Sequence, residues 1–182
     1  MPNGRAGSVT DAEDPEKRYE AAIARYGPAI ERLARAYEFD PDERRDLIQD
    51  IHVGLWRSFG NFDGRCSIGT WTYRVAHNVA VSHALRRKRL RPERLASLEE
   101  LSEAPGADNP EADAGQRQVL DRLTALIQAL KPPDRQVMML YPEDLPAAEI
   151  AEITGLSPGA VAVKIHRLKA LLARRFHQGG SE

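Results

Sequence analysis

The sequence predicts an all-α fold: two small helical domains joined by an acidic flexible linker. Three observations carry this. Apolar residues recur at helical spacing along most of the 182 residues, and the alternating pattern of a half-buried strand is missing. Two helix starts are written as an acid followed by proline, Asp14-Pro15 and Asp40-Pro41, and a third as Ser157-Pro158. Between Leu95 and Gly115 the composition changes to six acidic residues, no basic ones, Pro105-Gly106 and Asn109-Pro110. Such a stretch buries too little apolar surface to fold by itself.

Residues 1–14 read as a polar tail. A first helix over about 15–26 places Tyr19, Ile23 and Tyr26 on one face. Gly27-Pro28 is expected to break it and begin a second, with Ile30, Leu33, Ala34 and Tyr37 inward. From Asp40-Pro41 a third helix carries the stripe Leu47, Ile48, Ile51, Leu55 and Phe59. The three glycines between Gly60 and Gly69 mark a loop. A fourth helix over about 70–89 buries Val75, Val79 and Ala76 and ends in the run Arg86–Arg89. The first domain thus spans 15–94 and the linker 95–115. The second domain, 116–176, opens with a helix burying Val119, Leu120, Leu123, Ile127 and Leu130. Asp134 caps a short helix through Tyr141, Pro142 to Pro146 forms a turn, and two final helices precede a tail at 177–182.

A single cysteine excludes an internal disulfide and leaves no Cys-rich zinc site. No apolar run approaches the roughly 20 residues that cross a bilayer. The N-terminus lacks the apolar stretch of a signal peptide, so a cytoplasmic protein with no membrane insertion is expected. The net charge of −1 is a cancellation: residues 1–64 carry −4, 65–94 carry +7, 95–160 carry −8 and 161–182 carry +4. Two basic blocks flanking an acidic one suggest two places for a polyanion.

The second basic block lies in a helix-turn-helix pattern. Ala151, Gly155 and Val161 supply the small residue at the helix crossing, the glycine of the turn and the apolar anchor. Val161, Ile165, Leu168 and Leu172 are the expected buried face of the last helix. Gly159, Ala160, Val163, Lys164 and Arg167 then face outward, with Lys169, Arg174 and Arg175 further along. Small residues near the helix start allow close approach to a groove, and its dipole favours phosphate. The first basic block mixes Trp71, Tyr73, Arg74, His77 and Asn78 with Arg86, Arg87, Lys88 and Arg89. Rings beside cations suit unpaired bases and their phosphates.

The run Asp46-Leu-Ile-Gln-Asp-Ile-His-Val-Gly-Leu-Trp56, then Phe62, then Trp71-Thr-Tyr-Arg-Val-Ala-His-Asn78, resembles regions 2.1 to 2.4 of bacterial RNA polymerase sigma factors. The likeness is to the small two-domain extracytoplasmic-function (ECF) group, and the helix-turn-helix resembles region 4 of that family. It covers about residues 16–91 and 116–175.

The resemblance implies a transcription initiation factor with two partners, core RNA polymerase (its β′ clamp helices and β flap) and promoter DNA. Many members have an anti-sigma protein as a third. It implies a core-binding face of Asp46, Leu47, Gln49, Asp50 and Val53. It assigns −10 DNA binding and melting to Phe62, Arg65, Ser67, Tyr73, Arg74, Asn78, Arg86 and Arg87. It assigns −35 recognition to Ser157, Gly159, Ala160, Val163, Lys164, Arg167 and Lys169. The acidic linker, with Glu99, Glu100 and Glu103, would thread the polymerase cleft and RNA exit path. Ser82, Ala162, Leu168 and Pro146 depart from frequent family residues. No catalytic, metal or cofactor site is expected, because no nucleophile–base pair or phosphate loop is present. Two other readings differ in what they need. A free-standing operator binder has no use for the Asp46–Trp56 face, and a nuclease needs acids in a basic block that offers only Glu93.

Overall fold

The computed structural model describes residues 14–90, Ser97, Glu100 and 116–176. The expected tails, the boundary at 94, nearly all of the linker and the side chains of Lys88, Arg89, Val119 and Arg175 lie outside the described residues.

Helix α1 runs from Pro15 to Tyr37. Asp14 caps it, accepting from the Glu16 N–H at 3.0 Å, and Pro15 supplies a preset φ at the first position. The break expected at Gly27-Pro28 does not occur, and the two expected helices are one. Proline inside a helix costs about 3 kcal/mol through a lost bond and a ring clash. Burial on both sides of it, Ala22 before and Ala29, Ile30, Leu33, Ala34 and Tyr37 after, outweighs that cost. Helix α2, Pro41–Phe59, starts at Asp40, whose carboxylate accepts from the N–H groups of Asp42 at 2.9 Å and Glu43 at 3.1 Å. Helix α3 spans Ile68–Leu90. Its first turn is closed by Ser67, whose Oγ accepts from the Thr70 N–H at 3.0 Å. Leu47, Ile51, Leu55 and Phe59 of α2 meet Ile30, Leu33 and Ala34 of α1 and Ala76 and Ala80 of α3, all buried in one core.

Gly69 sits where α3 begins. A Cβ there would lie 2.6 Å from the Tyr26 hydroxyl oxygen. The ring of Tyr26 must then shift, because overpacking of this kind costs about 1–3 kcal/mol. Gly69→Ala is expected to lower the melting temperature by several degrees. Tyr26→Phe, which removes the clashing oxygen, should recover part of the loss in a thermal melt of the double variant.

The second unit holds α4 (Gln116–Ala129), α5 (Pro132–Leu140), a 3-10 turn at Tyr141–Glu143, α6 (Ala147–Thr154) and α7 (Pro158–Phe176). Val137, Leu140, Ile150, Ile153 and Val161 form one cluster, and Leu130, Met138, Leu168 and Leu171 another. Leu120, expected inside, is exposed, and Leu171 is fully buried while Leu172 is partly so. Asp134 does not cap α5. Lys131 holds the cap position without a side-chain bond, and Asp134 lies in the first turn, buried. The helix-turn-helix turn is as expected: Gly155, at φ 72°, ends α6 and donates its N–H to the Ala151 carbonyl at 2.9 Å. Ser157 then caps α7, accepting from the Ala160 N–H at 3.2 Å.

The two units are packed together. Ala29 of α1 and Tyr73 of α3 belong to the same buried cluster as Val137, Leu140, Ile150 and Val161. Arg135 of α5 lies over the Tyr37 ring of α1, 4.8 Å from its centroid. Gln128 donates to the Arg35 carbonyl at 3.2 Å.

Candidate nucleic-acid interface

Helix α2 divides cleanly. Leu47, Ile51, Leu55 and Phe59 face the core, while Asp46, Gln49, Asp50, Val53 and Trp56 are exposed. Four of the five residues expected to meet polymerase therefore share one solvent face, and Leu47 does not. It is fully buried, at the offset that α2 uses for its core stripe, and can act only through the packing of the helix. Trp56, 51% exposed, extends the acidic face with an apolar end. Its ring meets Tyr19 edge-on at 5.4 Å, and Tyr19 in turn bonds His52 Nδ1 at 2.7 Å, which fixes the indole.

The residues expected on the −10 strand fall into three groups, with Arg87 apart from them. Phe62 packs edge-on against Trp71 at 5.3 Å, and Trp71 Nε1 donates to Ser58 Oγ at 3.0 Å, so Phe62 anchors its loop as well as lining it. Ser67 spends its hydroxyl on the start of α3, and Arg65 is exposed and paired with Asp63. Tyr73 and Arg74 are covered by the second unit. Tyr73 is 7% exposed, stacks edge-on with Tyr26 at 5.4 Å and donates to Glu143 Oε2 at 2.8 Å. Burial, with that carboxylate beside it, pushes its phenol well above the usual range. Arg74 lies over the Trp71 ring at 4.8 Å and pairs with Glu152 at 3.1 Å. Beside them Thr70 donates to Glu149 Oε2 at 2.8 Å, and Arg32 pairs with Glu143 at 2.6 Å. Three glutamates of the acidic block thus cover the N-terminal half of α3. The last group, Asn78 and Arg86, remains on an exposed face, Arg86 at 3.3 Å from Asp50.

Arg87 turns the other way. It donates to Glu38, which is fully buried and also bonds His83 Nε2 at 3.0 Å and the Asp40 N–H at 3.0 Å. Burial alone would raise the Glu38 carboxyl, but the bonds from Arg87, His83 and the Asp40 N–H hold it below the usual carboxylate range. Its neighbour Glu43 makes a three-residue cluster with Glu38 and His83, but the Glu38 oxygens are already engaged. Arg87 therefore ties the far end of α3 to the α1–α2 turn, which no helical periodicity could reveal. His77, one turn beyond Tyr73, borders a small cavity lined by Ala29, Ile30, Leu33 and Ala76 on one side and Met139 and Glu143 on the other. Its Nδ1 has no hydrogen-bond partner, and burial lowers its pKa to about 3, so it is neutral.

On α7 the exposed stripe is Gly159, Ala162, Val163, His166, Lys169 and Ala170. Gly159, Val163 and Lys169 of the expected −35 set lie on it, with Ala160 and Arg167 at its flank. Ala162 and His166 share that face and were not in the expected set. Their i, i+4 spacing with the glycine-to-lysine stripe was the available signal. Lys164 does not lie there: it is directed inward, onto the buried carboxylate of Asp134.

A model of Sigma-70 region 2 matches residues 22–90, and one of Sigma-70 region 4 matches residues 120–172. RNA polymerase sigma-H factor of Pseudomonas aeruginosa is 26% identical over 144 residues, 78% of this chain and 72% of that protein. Sigma factor YlaC of Bacillus subtilis is 27% identical, covering 76% and 80%, and sigma factor CarQ of Myxococcus xanthus 28%, covering 82% and 83%. The fold is similar to that of CnrH in its complex with the cytosolic domain of CnrY (TM-score 0.61, 23% identity, 87% of this chain and 86% of that one). It is also similar to RpoE of Bartonella quintana in complex with the anti-sigma factor NepR (TM-score 0.63, 16% identity, 87% and 96%).

Proposed function

Because the chain belongs to the sigma-70 family, as a member of its ECF group, we propose that it binds core RNA polymerase through the exposed face of α2 and directs promoter-specific initiation. Asp46, Gln49, Asp50, Val53 and Trp56 form the core-binding face. The loop Phe62–Ser67 and the face of Tyr73, Arg74, Asn78 and Arg86 hold the opened −10 strand. Helix α7 reads the −35 element. Bond formation belongs to the polymerase, and the chain contributes no catalytic group. An anti-sigma protein is a fitting third partner, since one similar solved fold, RpoE of Bartonella quintana, is in complex with an anti-sigma factor. The observation that carries this reading is the separation on α2 of a buried apolar stripe from an exposed acidic one, a face that duplex binding alone does not require.

The packed arrangement is then a resting state. The −10 and −35 elements are roughly 25 base pairs apart, about 85 Å of B-DNA at ~3.4 Å per pair. A compact chain of this length has a radius of gyration of about 16 Å. One packed unit cannot touch both elements, so the two domains separate on the promoter, and Tyr73 and Arg74 are exposed as they do.

Gel filtration with core polymerase tests the core-binding face. The full chain should co-elute with core. Asp50→Arg should weaken that association by tenfold or more, since a like charge placed against a basic partner costs several kcal/mol. Co-elution unchanged by Asp50→Arg and by Asp46→Arg would reject this face.

A further inference from the structure

The inward stripe of α7 reads Val161, Lys164, Leu168, Leu171, with steps of three, four and three, buried at each position but Lys164, which is partly so. Its second member is a lysine. Lys164 is 17% exposed, and its ammonium meets Asp134 of α5, whose side chain is 3% exposed. Elsewhere in the contact between the helices Leu168 and Leu171 of α7 pack with Met138 of α5 and with Leu130, and α5 also buries Arg135 and Gln136. Withdrawing Lys164 to reach a phosphate would break its ion pair with the buried Asp134 carboxylate, which is unfavourable. A rotation of α7 that carried Lys164 to the solvent side would also bury Val163 or His166, both now exposed. An ion pair between two packed helices fixes register, because sliding or turning either helix separates the charges. Asp134 lies in the first turn of α5, where the helix dipole also favours its charge.

We propose that Asp134 is a positioning residue for promoter recognition. It holds Lys164 inside the second domain, fixes the rotation of α7 and thereby gives the groove-facing positions to Gly159, Ala162, Val163, His166 and Lys169. The inference rests on the assignment of α7 to −35 DNA.

The test uses holoenzyme reconstituted from core polymerase and the full chain. The probe is a duplex bearing the −35 sequence that wild-type holoenzyme enriches from a random pool. A lysine that neutralises a phosphate contributes about 0.9 to the slope of log affinity against log salt. Lys169→Met should lower that slope by about 0.9. Asp134→Asn/Lys164→Met, which removes both charges of the pair, should keep the wild-type slope and remain folded by circular dichroism. It should nevertheless lose about tenfold in preference for the enriched sequence over a scrambled one, and Lys164→Arg should retain that preference. A slope lowered by about 0.9 in the double variant would place Lys164 on DNA and overturn the proposal, as would full sequence preference in the double variant. Failure of wild-type holoenzyme to enrich any −35 sequence would instead reject the promoter-binding assignment beneath it.

Discussion

Glu38→Ala is expected to destabilise the chain by about 3 kcal/mol, the lower end of the range for breaking a buried ion pair, because Arg87 is partly exposed. For a chain of this length that is a fall of roughly 6–12 °C in melting temperature. Glu38 joins three segments: Arg87 and His83 at the end of α3, and the Asp40 N–H at the start of α2. The same group sets part of the acid limit. Its folded pKa lies below the unfolded value, so its stabilisation is complete above about pH 4.5 and is lost as pH falls through the folded pKa. His77 acts in a higher window. Its pKa falls from 6.5 in the open chain to about 3 when buried, so the unfolded chain takes up the extra proton between those values. Stability is full above pH 6.5 and declines toward pH 3, by up to about 5 kcal/mol. Denaturant titrations of the wild type, Glu38→Gln and His77→Leu across pH 3–8 separate the two. His77→Leu should flatten the slope between pH 4.5 and 6.5, where Glu38→Gln leaves it intact. An unchanged slope in His77→Leu would contradict the assignment.

Ala29→Arg is expected to open the chain. Ala29 lies on the side of α1 that packs against the second unit, in the cluster of Val137, Leu140 and Ile150, and away from the first domain's own core. An arginine cannot fit there without parting the two units. The polar pairs Arg74–Glu152 and Arg32–Glu143 are partly solvated and contribute at most about 1 kcal/mol each, so the apolar contact is the larger share of the closure. If closure hides the −10 face in most molecules, removing it raises the apparent affinity by the inverse of the competent fraction. At an opening cost of 1.4 kcal/mol or more, that is at least about tenfold. Small-angle scattering should show a longer maximum dimension for Ala29→Arg. Its binding to a forked −10 DNA, without polymerase, should tighten by at least about tenfold. An expanded chain with unchanged fork binding would show that the covered residues do not contact the strand.

What the sequence revealed and what it hid follow from the range of each interaction. The helix starts at Pro15, Pro41 and Pro158 and the turn at Gly155 are local, written within a few residues, and they are where the structure has them. The α2 stripe was legible for the same reason, since side-chain direction follows from period. Pro28 misled because a local breaker was outweighed by packing contributed from α2 and α3. The remaining differences involve partners far along the chain: Arg87 with Glu38, Lys164 with Asp134, Tyr73 with Glu143. Periodicity places each cation or ring on a helix face, but it cannot say that a carboxylate from a distant segment already occupies that face. Leu47 is a simpler case. It was grouped with its acidic neighbours through family likeness, whereas its offset from Ile51 and Leu55 had already placed it inside.

Run-off transcription from a library of genomic fragments, with core polymerase and the full chain, tests initiation most directly. The expected result is transcripts from a defined set of start sites sharing −35 and −10 sequences, made only when the chain is present and lost in Asp50→Arg together with core association. A chain that binds duplex DNA tightly by itself, fails to associate with core and directs no transcript would contradict it.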